Sequence, residues 1–216
     1  MSKADTTETP PLVLIVDDDE EVREAIRELL LSVGQQAICY GSTRELLDAP
    51  CLDQAACLVL DVRMPGSSGL DLQQRLVAGG MSTPIVFLTG HGDIPMSVQA
   101  MKAGAIDFLT KPVRDQTLID AVMLAIERDT AQRASAQAIQ QHVDRYATLT
   151  ARETQVMREV ARGRLNKQIA YDLGISEITV KLHRGNLMKK MQAGSVGELI
   201  RAWEALPTGL REMRPT

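Results

Sequence analysis

The chain has 216 residues, 44% of them hydrophobic, enough for one large or two small domains whose cores, with two Phe, three Tyr and one Trp, must be aliphatic. Its net charge of −4 hides a division: residues 1–129 carry 20 acids and 10 bases, net −10, and residues 130–216 carry 8 acids and 14 bases, net +6. No apolar run approaches the roughly 20 residues of a membrane helix, and the basic half predicts a polyanionic partner.

Residues 1–11 lack a signal-peptide apolar region and read as a disordered lead. Leu12–Val16 is a fully apolar strand ending at Asp17-Asp18-Asp19. A helix follows over Glu20–Val33, with Val22, Ile26, Leu29, Leu30 and Val33 on one side, stopped by Gly34. Ala37–Tyr40 is a short strand, and Ser42 caps a helix to about Asp48. Leu58–Leu60 runs into Asp61, and Met64-Pro65-Gly66 forces a loop before a helix over Gly69–Ala78. Pro84–Thr89 is a fourth strand, Ile94–Ala103 a helix, and Ile106–Thr110 a fifth strand closed by Lys111-Pro112. Five strands alternating with helices predict a doubly wound, five-stranded parallel α/β domain of flavodoxin-like type. Cys39, Cys51 and Cys57 lack metal-ligand spacing and read as reduced cytosolic thiols.

The last helix of that domain starts near Asp115 and meets no Gly or Pro until after Tyr146. From Thr130 it turns Ala- and Gln-rich. It reads either as a helical extension with a weak coiled-coil seam or as a flexible linker. After Leu149 only helices are expected. Thr150 and Glu153 form a capping box, Asn166 caps a short helix to Leu173, Ser176 caps a third through about Met191, and a fourth spans Ser195–Ala205. The tail beyond Pro207 reads as disordered. The expected organisation is an α/β domain over 12–128, a helical linker over 129–147 and an all-α four-helix domain over 148–206.

Chemistry gathers at the strand ends. Asp61 could simply cap the turn that follows it. Yet Asp17, Asp18, Asp61, Thr89 and Lys111 all end strands of one sheet, where open α/β folds bind their ligands. Three carboxylates together repel unless a cation intervenes, and hard oxygen ligands in a partly hydrated site suit Mg²⁺. Metal, lysine, hydroxyl and carboxylate are what phosphoryl transfer to a carboxylate requires. In the basic half, a short helix, a Gly-containing turn and a longer helix have helix-turn-helix spacing. In the longer helix, Ile178, Leu182, Leu187 and Met191 are expected to face the core, with Lys181, His183, Arg184, Lys189 and Lys190 elsewhere.

IVDDDEEVR (15–23), LVLDVRMPGSSGLDL (58–72), PIVFLTGHGD (84–93) and AGAIDFLTKPV (103–113) together resemble a response-regulator receiver domain. The resemblance implies Asp61 as phosphoacceptor, with Thr89 and Lys111 as its catalytic partners. It implies Asp18 as a direct Mg²⁺ ligand, Asp17 acting through water, and the Arg63 backbone carbonyl completing the site. Asp19 is read as a helix cap, and Phe108 matches the aromatic switch position, against the plainer reading of a core residue. Lys111-Pro112 matches a bond that is cis in the family.

LTARETQVMREVARG and NKQIAYDLGISEITVKLHRGNLMKKM resemble a LuxR-type (NarL/FixJ) DNA-binding domain. That resemblance implies Lys167 on a backbone phosphate and Thr179, Val180, Lys181, His183 and Arg184 near the major groove. Gly185, inside the recognition helix, is a departure that weakens the helix relative to Ala; its absent side chain reads either as permitting close approach to DNA or as leaving one base unread. Taken together, the resemblances imply a two-component transcriptional regulator in the cytoplasm. A histidine kinase would phosphorylate it, and it would homodimerise on double-stranded DNA, with RNA polymerase as a further partner and no membrane contact. It would not be an enzyme beyond its own phosphoryl transfer and hydrolysis. The rival readings are a regulator that binds DNA without phosphorylation and a phosphorelay or protein-interaction module. The −10/+6 division also suggests an acidic domain covering the basic one until released, an association that salt would weaken.

Overall fold

The structure, a computed structural model, describes residues 10–90 and 92–212. The chain separates into two compact units, one ending at Gln132 and the other beginning at Arg133. Most of the expected disordered lead lies outside the described residues.

In the first unit the strands are β1 (Leu12–Val16), β2 (Gln36–Tyr40), β3 (Ala55–Leu60), β4 (Ile85–Thr89) and β5 (Asp107–Thr110). They form one parallel sheet in the order β2-β1-β3-β4-β5. The order reverses between β1 and β3, so a crevice opens outside their carboxyl ends. Helices α1 (Glu20–Ser32), α2 (Thr43–Leu47), α3 (Gly69–Ala78) and α4 (Ile94–Lys102) alternate with the strands, and α5 (Asp115–Ala147) follows β5.

The period of two along each central strand builds two cores. Leu14, Val16, Leu58, Leu60, Ile85 and Phe87 pack with Leu46, Leu70, Leu72, Leu76 and Ala100 of α2, α3 and α4. Val13, Ile15, Cys57, Val59, Val86 and Leu88 pack with Ile26 and Leu30 of α1 and with Leu118, Val122, Ala125 and Ile126 of α5. β3 is buried at every position, as a central strand covered on both faces must be. Three details of the expected pattern differ. β3 starts at Ala55, three residues before the expected Leu58, because the buried Ala55, Ala56 and Cys57 already belong to the sheet. Val33 lies past the end of α1 and is 42% exposed, because the chain has already turned out through Val33 and Gly34. The loop after Asp61 holds a two-residue antiparallel ladder, Arg63–Met64 with Ser67–Ser68, too short to leave a periodic signal.

Helix α5 is unbroken from Asp115 to Ala147. Its first part is buried in the sheet core and residues 130–141 are exposed throughout. Its last turn belongs to the second core, where Val143 and Tyr146 pack with Leu149.

The second unit comprises α6 (Ala151–Ala161), α7 (Asn166–Leu173), α8 (Glu177–Lys190), α9 (Val196–Ala205) and α10 (Thr208–Glu212). The predicted capping box is present: Glu153 N–H donates to Thr150 Oγ1 and Thr150 N–H to Glu153 Oε2. Val156, Met157, Val160, Ile169, Val180, Leu187, Met191 and Leu199 form the core. The α7–α8 turn is made by Gly174, at φ 65°, a left-handed conformation that closes the first helix with little steric cost only for glycine.

Four expectations for this unit are corrected. Ile178 and Leu182 are 79% and 62% exposed rather than in the core, and Val180 is fully buried in their place. Asn166 is the first helical residue of α7, not its cap; its Oδ1 accepts from Arg184 Nη1 at 2.8 Å instead. The tail is not wholly irregular, since the short α10 begins directly after Pro207 and Tyr146 Oη donates to the Leu210 carbonyl at 3.4 Å. There is therefore one short helix more than the four expected.

Candidate functional site

Three strand ends assemble the acidic cluster. β1 delivers Asp17 and Asp18, and β3 delivers Asp61. One carboxylate oxygen from each lies within 4.8 Å of the others. Asp17 and Asp61 are buried and Asp18 is exposed, so the cluster opens to water on one side. β5 runs out through Thr110 to Lys111, whose Nζ pairs with Asp17 Oδ2 and lies 3.5 Å from Asp61 Oδ2. The Lys111–Pro112 peptide is cis.

Burial pushes the Asp17 carboxyl up, and the Lys111 ammonium and the Asp19 N–H oppose that rise. One lysine faces three carboxylates here, so the cluster keeps an excess of negative charge. All-oxygen donors, mixed burial and an open wet side are the donor chemistry that a small hard divalent cation takes.

The neighbouring backbone holds these groups in place. Asp19 caps α1, accepting from the N–H groups of Glu21 and Val22 at 3.0 and 3.3 Å, so it is a cap as expected. Arg63 N–H donates to Asp61 Oδ1 at 3.3 Å, which puts the Arg63 backbone beside the acid cluster. Thr89, at the end of β4, is 1% exposed, and its carbonyl accepts from Lys111 N–H at 2.8 Å. Phe108 on β5 is half-buried with its ring centroid 6.0 Å from that of Phe87.

Three residues of this site are not singled out by sequence reasoning. Gly69 starts α3 so close to the phosphoacceptor candidate that an added Cβ would stand 2.3 Å from the Asp61 carbonyl oxygen. Gly92 lies under the Phe108 ring, where a Cβ would meet Cε1 at 2.7 Å. Arg23 on α1 donates to the Asp17 carbonyl. The Ser-Ser-Gly before a helix hints at the first; nothing in the sequence marks the others.

On the helical unit, Lys167 is exposed in the first turn of α7, and Lys181 and Lys189 are exposed on α8. His183 and Arg184 are half-buried, and the guanidinium of Arg184 is tied to Asn166, joining α8 to the start of α7. Thr179 Oγ1 shares a 2.8 Å hydrogen bond with Ser176 Oγ at the helix cap. Val180 is 0% exposed and belongs to the core, so it reads no base. Lys190 is also committed internally, with its Nζ 3.0 Å from the Thr148 carbonyl and 2.7 Å from Glu153 Oε2.

An acid cluster and lysine at the carboxyl edge of a 2-1-3-4-5 sheet, joined to a basic helix-turn-helix unit, define a signal-receiving protein with a nucleic-acid-binding output. The comparisons agree. The response regulator receiver domain family matches residues 13–123, and the luxR family of bacterial regulatory proteins matches residues 147–203. Nodulation protein W of Bradyrhizobium diazoefficiens is 50% identical over 198 residues, covering 92% of this chain and 87% of that one. Transcriptional regulatory protein FixJ of Azorhizobium caulinodans is 44% identical, covering 88% and 90%. Among solved structures, response regulator StyR superposes with a TM-score of 0.82 at 45% identity, covering 90% of this chain and 98% of that one. The chain belongs to the two-component response regulators that join a receiver domain to a LuxR-type DNA-binding domain.

Proposed function

We propose that a partner histidine kinase transfers a phosphoryl group to Asp61 and that this controls DNA binding by the helical domain. The observation that carries the reading is the meeting of Asp17, Asp18 and Asp61 within 4.8 Å, with Lys111 Nζ 3.5 Å from Asp61. An Asp61 carboxylate oxygen attacks phosphorus, a P–O bond forms, and the P–N bond to the kinase histidine breaks. Asp17, Asp18, Asp61 and the Arg63 carbonyl would hold Mg²⁺, which when bound neutralises charge on the phosphoryl oxygens. Lys111 adds a second positive charge on the same group, and the Thr89 hydroxyl donates to one of its oxygens. The receiver turns over nothing beyond its own acyl phosphate, which water returns to carboxylate and phosphate.

Drawing Thr89 toward the phosphoryl group would repack the Phe108 side of β5, a bistable element biased by a charged group. Exposed apolar residues on α4 and α5 (Ile94, Val98, Met101, Met123 and Leu124) support a homodimer formed on that face after phosphorylation. The dimer would set two α8 helices about one DNA turn apart. Lys167, Thr179, Lys181, His183 and Arg184 would meet phosphates or bases, and RNA polymerase would be the further partner, in the cytoplasm. Among the described residues no helix is long and apolar enough to cross a membrane. We place the receiver at 12–128 and the helical output domain at 148–206, with residues 129–147 joining them.

The test is incubation with Mg²⁺ and acetyl phosphate, followed by intact mass and oligomeric state. The wild type is expected to gain one phosphoryl group and pass from monomer to dimer, and Asp61→Asn to do neither. Equal uptake by the variant would remove Asp61 as acceptor. Uptake without assembly would keep the chemistry and reject the dimer switch.

A further inference from the structure

Helix α8 carries apolar residues on two opposite faces. Val180 and Leu187 enter the core, whereas Ile178 and Leu182 stand 79% and 62% exposed. Ile178, Leu182, Gly185 and Lys189 recur at steps of four, three and four, so at 3.6 residues per turn they fall within about 60° of one another on the outer face. All four are exposed, as are Lys181 and Asn186 on either flank of the stripe. A lone exposed aliphatic residue is ordinary. Two stacked on successive turns of a helix whose other exposed positions are mostly charged mark a contact surface.

Gly185 supplies an independent observation. It is not among the glycines with positive φ, and a Cβ there would meet nothing within 4 Å. Nothing inside the protein requires glycine, and a glycine in mid-helix weakens the helix relative to alanine. The missing side chain gives clearance to something outside the molecule, on the same line as Ile178 and Leu182.

Charge selects the occupant. Lys181 flanks the stripe and Lys189 continues it, the only acid of α8 is Glu177 in its first turn, and residues 130–216 carry net +6. The partner must therefore present apolar groups set between negative charges. The major groove of B-DNA does so, with thymine C5-methyl groups lying between two phosphate chains. We infer that Ile178 and Leu182 are specificity-determining residues that pack against thymine methyls, and that Gly185 lets the helix seat deeply enough for them to reach. This inference rests on the DNA-binding reading above and adds to it the chemistry of what is read.

The test uses the full chain and duplexes selected by it from a randomised pool. The selected duplex is then synthesised with thymine or with uracil, which lacks only the methyl, at each T position. Wild type is expected to bind the uracil duplex about threefold to fivefold more weakly for each thymine that is read. Ile178→Ala and Leu182→Ala should each bind the thymine duplex more weakly and lose discrimination at one position. Gly185→Ala should melt at a higher temperature yet bind the selected duplex less tightly. Equal binding of both duplexes by wild type, or full discrimination by the two alanine variants, would overturn methyl readout while leaving DNA binding intact. Undiminished binding by Gly185→Ala would overturn the clearance role. If no duplex is bound, the DNA-binding reading falls as well. A change in oligomeric state in Ile178→Ala or Leu182→Ala with methyl discrimination intact would assign the stripe to protein contact instead.

Discussion

At the scale of single residues, the chain places charge where it can be countered. Glu153 is 4% exposed and its carboxylate accepts from Lys190 Nζ and from the N–H of Thr150, the cap of α6. Burial alone would raise that carboxyl; the hydrogen bonds from Lys190 and Thr150 outweigh it and hold the group below the usual carboxylate range. The sign follows from linkage. A depressed folded pKa contributes stability that is present above the unfolded value, about 4.3, and is lost as pH falls through the folded one. Trp203, the single Trp, lies in this unit with its ring 6.1 Å from Tyr146 and reports its unfolding. Thermal melts followed by Trp203 fluorescence should therefore lose stability below about pH 4.3 more steeply in wild type than in Glu153→Gln. At pH 7, Lys190→Met should cost about 1–3 kcal/mol, because it strips a buried carboxylate of its cation.

At the scale of elements, the start of α3 bears directly on the proposed phosphorylation site. Gly69 N–H donates to the Val62 carbonyl at 3.0 Å, and its Cα lies against the Asp61 backbone. In Gly69→Ala the added carbon would stand 2.3 Å from a backbone oxygen, which no side-chain rotation relieves. Destabilisation of about 1–3 kcal/mol is expected in urea titrations, with slower phosphoryl uptake from acetyl phosphate. Most element boundaries are legible in the sequence. Apolar runs ending in Asp, Gly stops and Ser or Thr caps mark Leu12–Val16, Gly69–Ala78 and Ser176 without ambiguity. The 63–68 ladder is not legible, since two-residue strands have no period. The start of α7 misleads because Asn166 has the chemistry of a cap, and only the packing of α8 shows that its oxygen serves Arg184.

At the scale of the whole molecule, two units of opposite charge share one chain and one long helix, α5. The basic unit should bind DNA with strong salt dependence, and the slope of log K against log salt should fall in magnitude by about 0.9 for each phosphate that a variant leaves unneutralised. On the proposed reading, in which Lys167 meets a phosphate in each half of a DNA-bound dimer, Lys167→Ala should reduce it by about twice that in titrations from 50 to 200 mM salt. Lys190→Met should leave the slope unchanged, since that ammonium is already engaged by Glu153 and Thr148.

The order of residues alone dictates the parallel α/β unit, its acid, hydroxyl and lysine strand ends, and the helix-turn-helix spacing. Each of these is local: a period, a cap, or a residue ending an apolar run. It does not decide which way α8 faces. That helix has two apolar stripes, Ile178 with Leu182 and Val180 with Leu187, on opposite sides. Periodicity alone treats them alike. Only the surrounding helices, which bury one stripe among Val156, Ile169 and Leu199, leave the other turned outward. Nor does it show the clearance at Gly69 and Gly92, because the atoms that crowd them belong to residues distant in the chain or folded back upon it. Local chemistry is written in the order of residues, whereas the choice between equivalent faces is made by whatever packs against them.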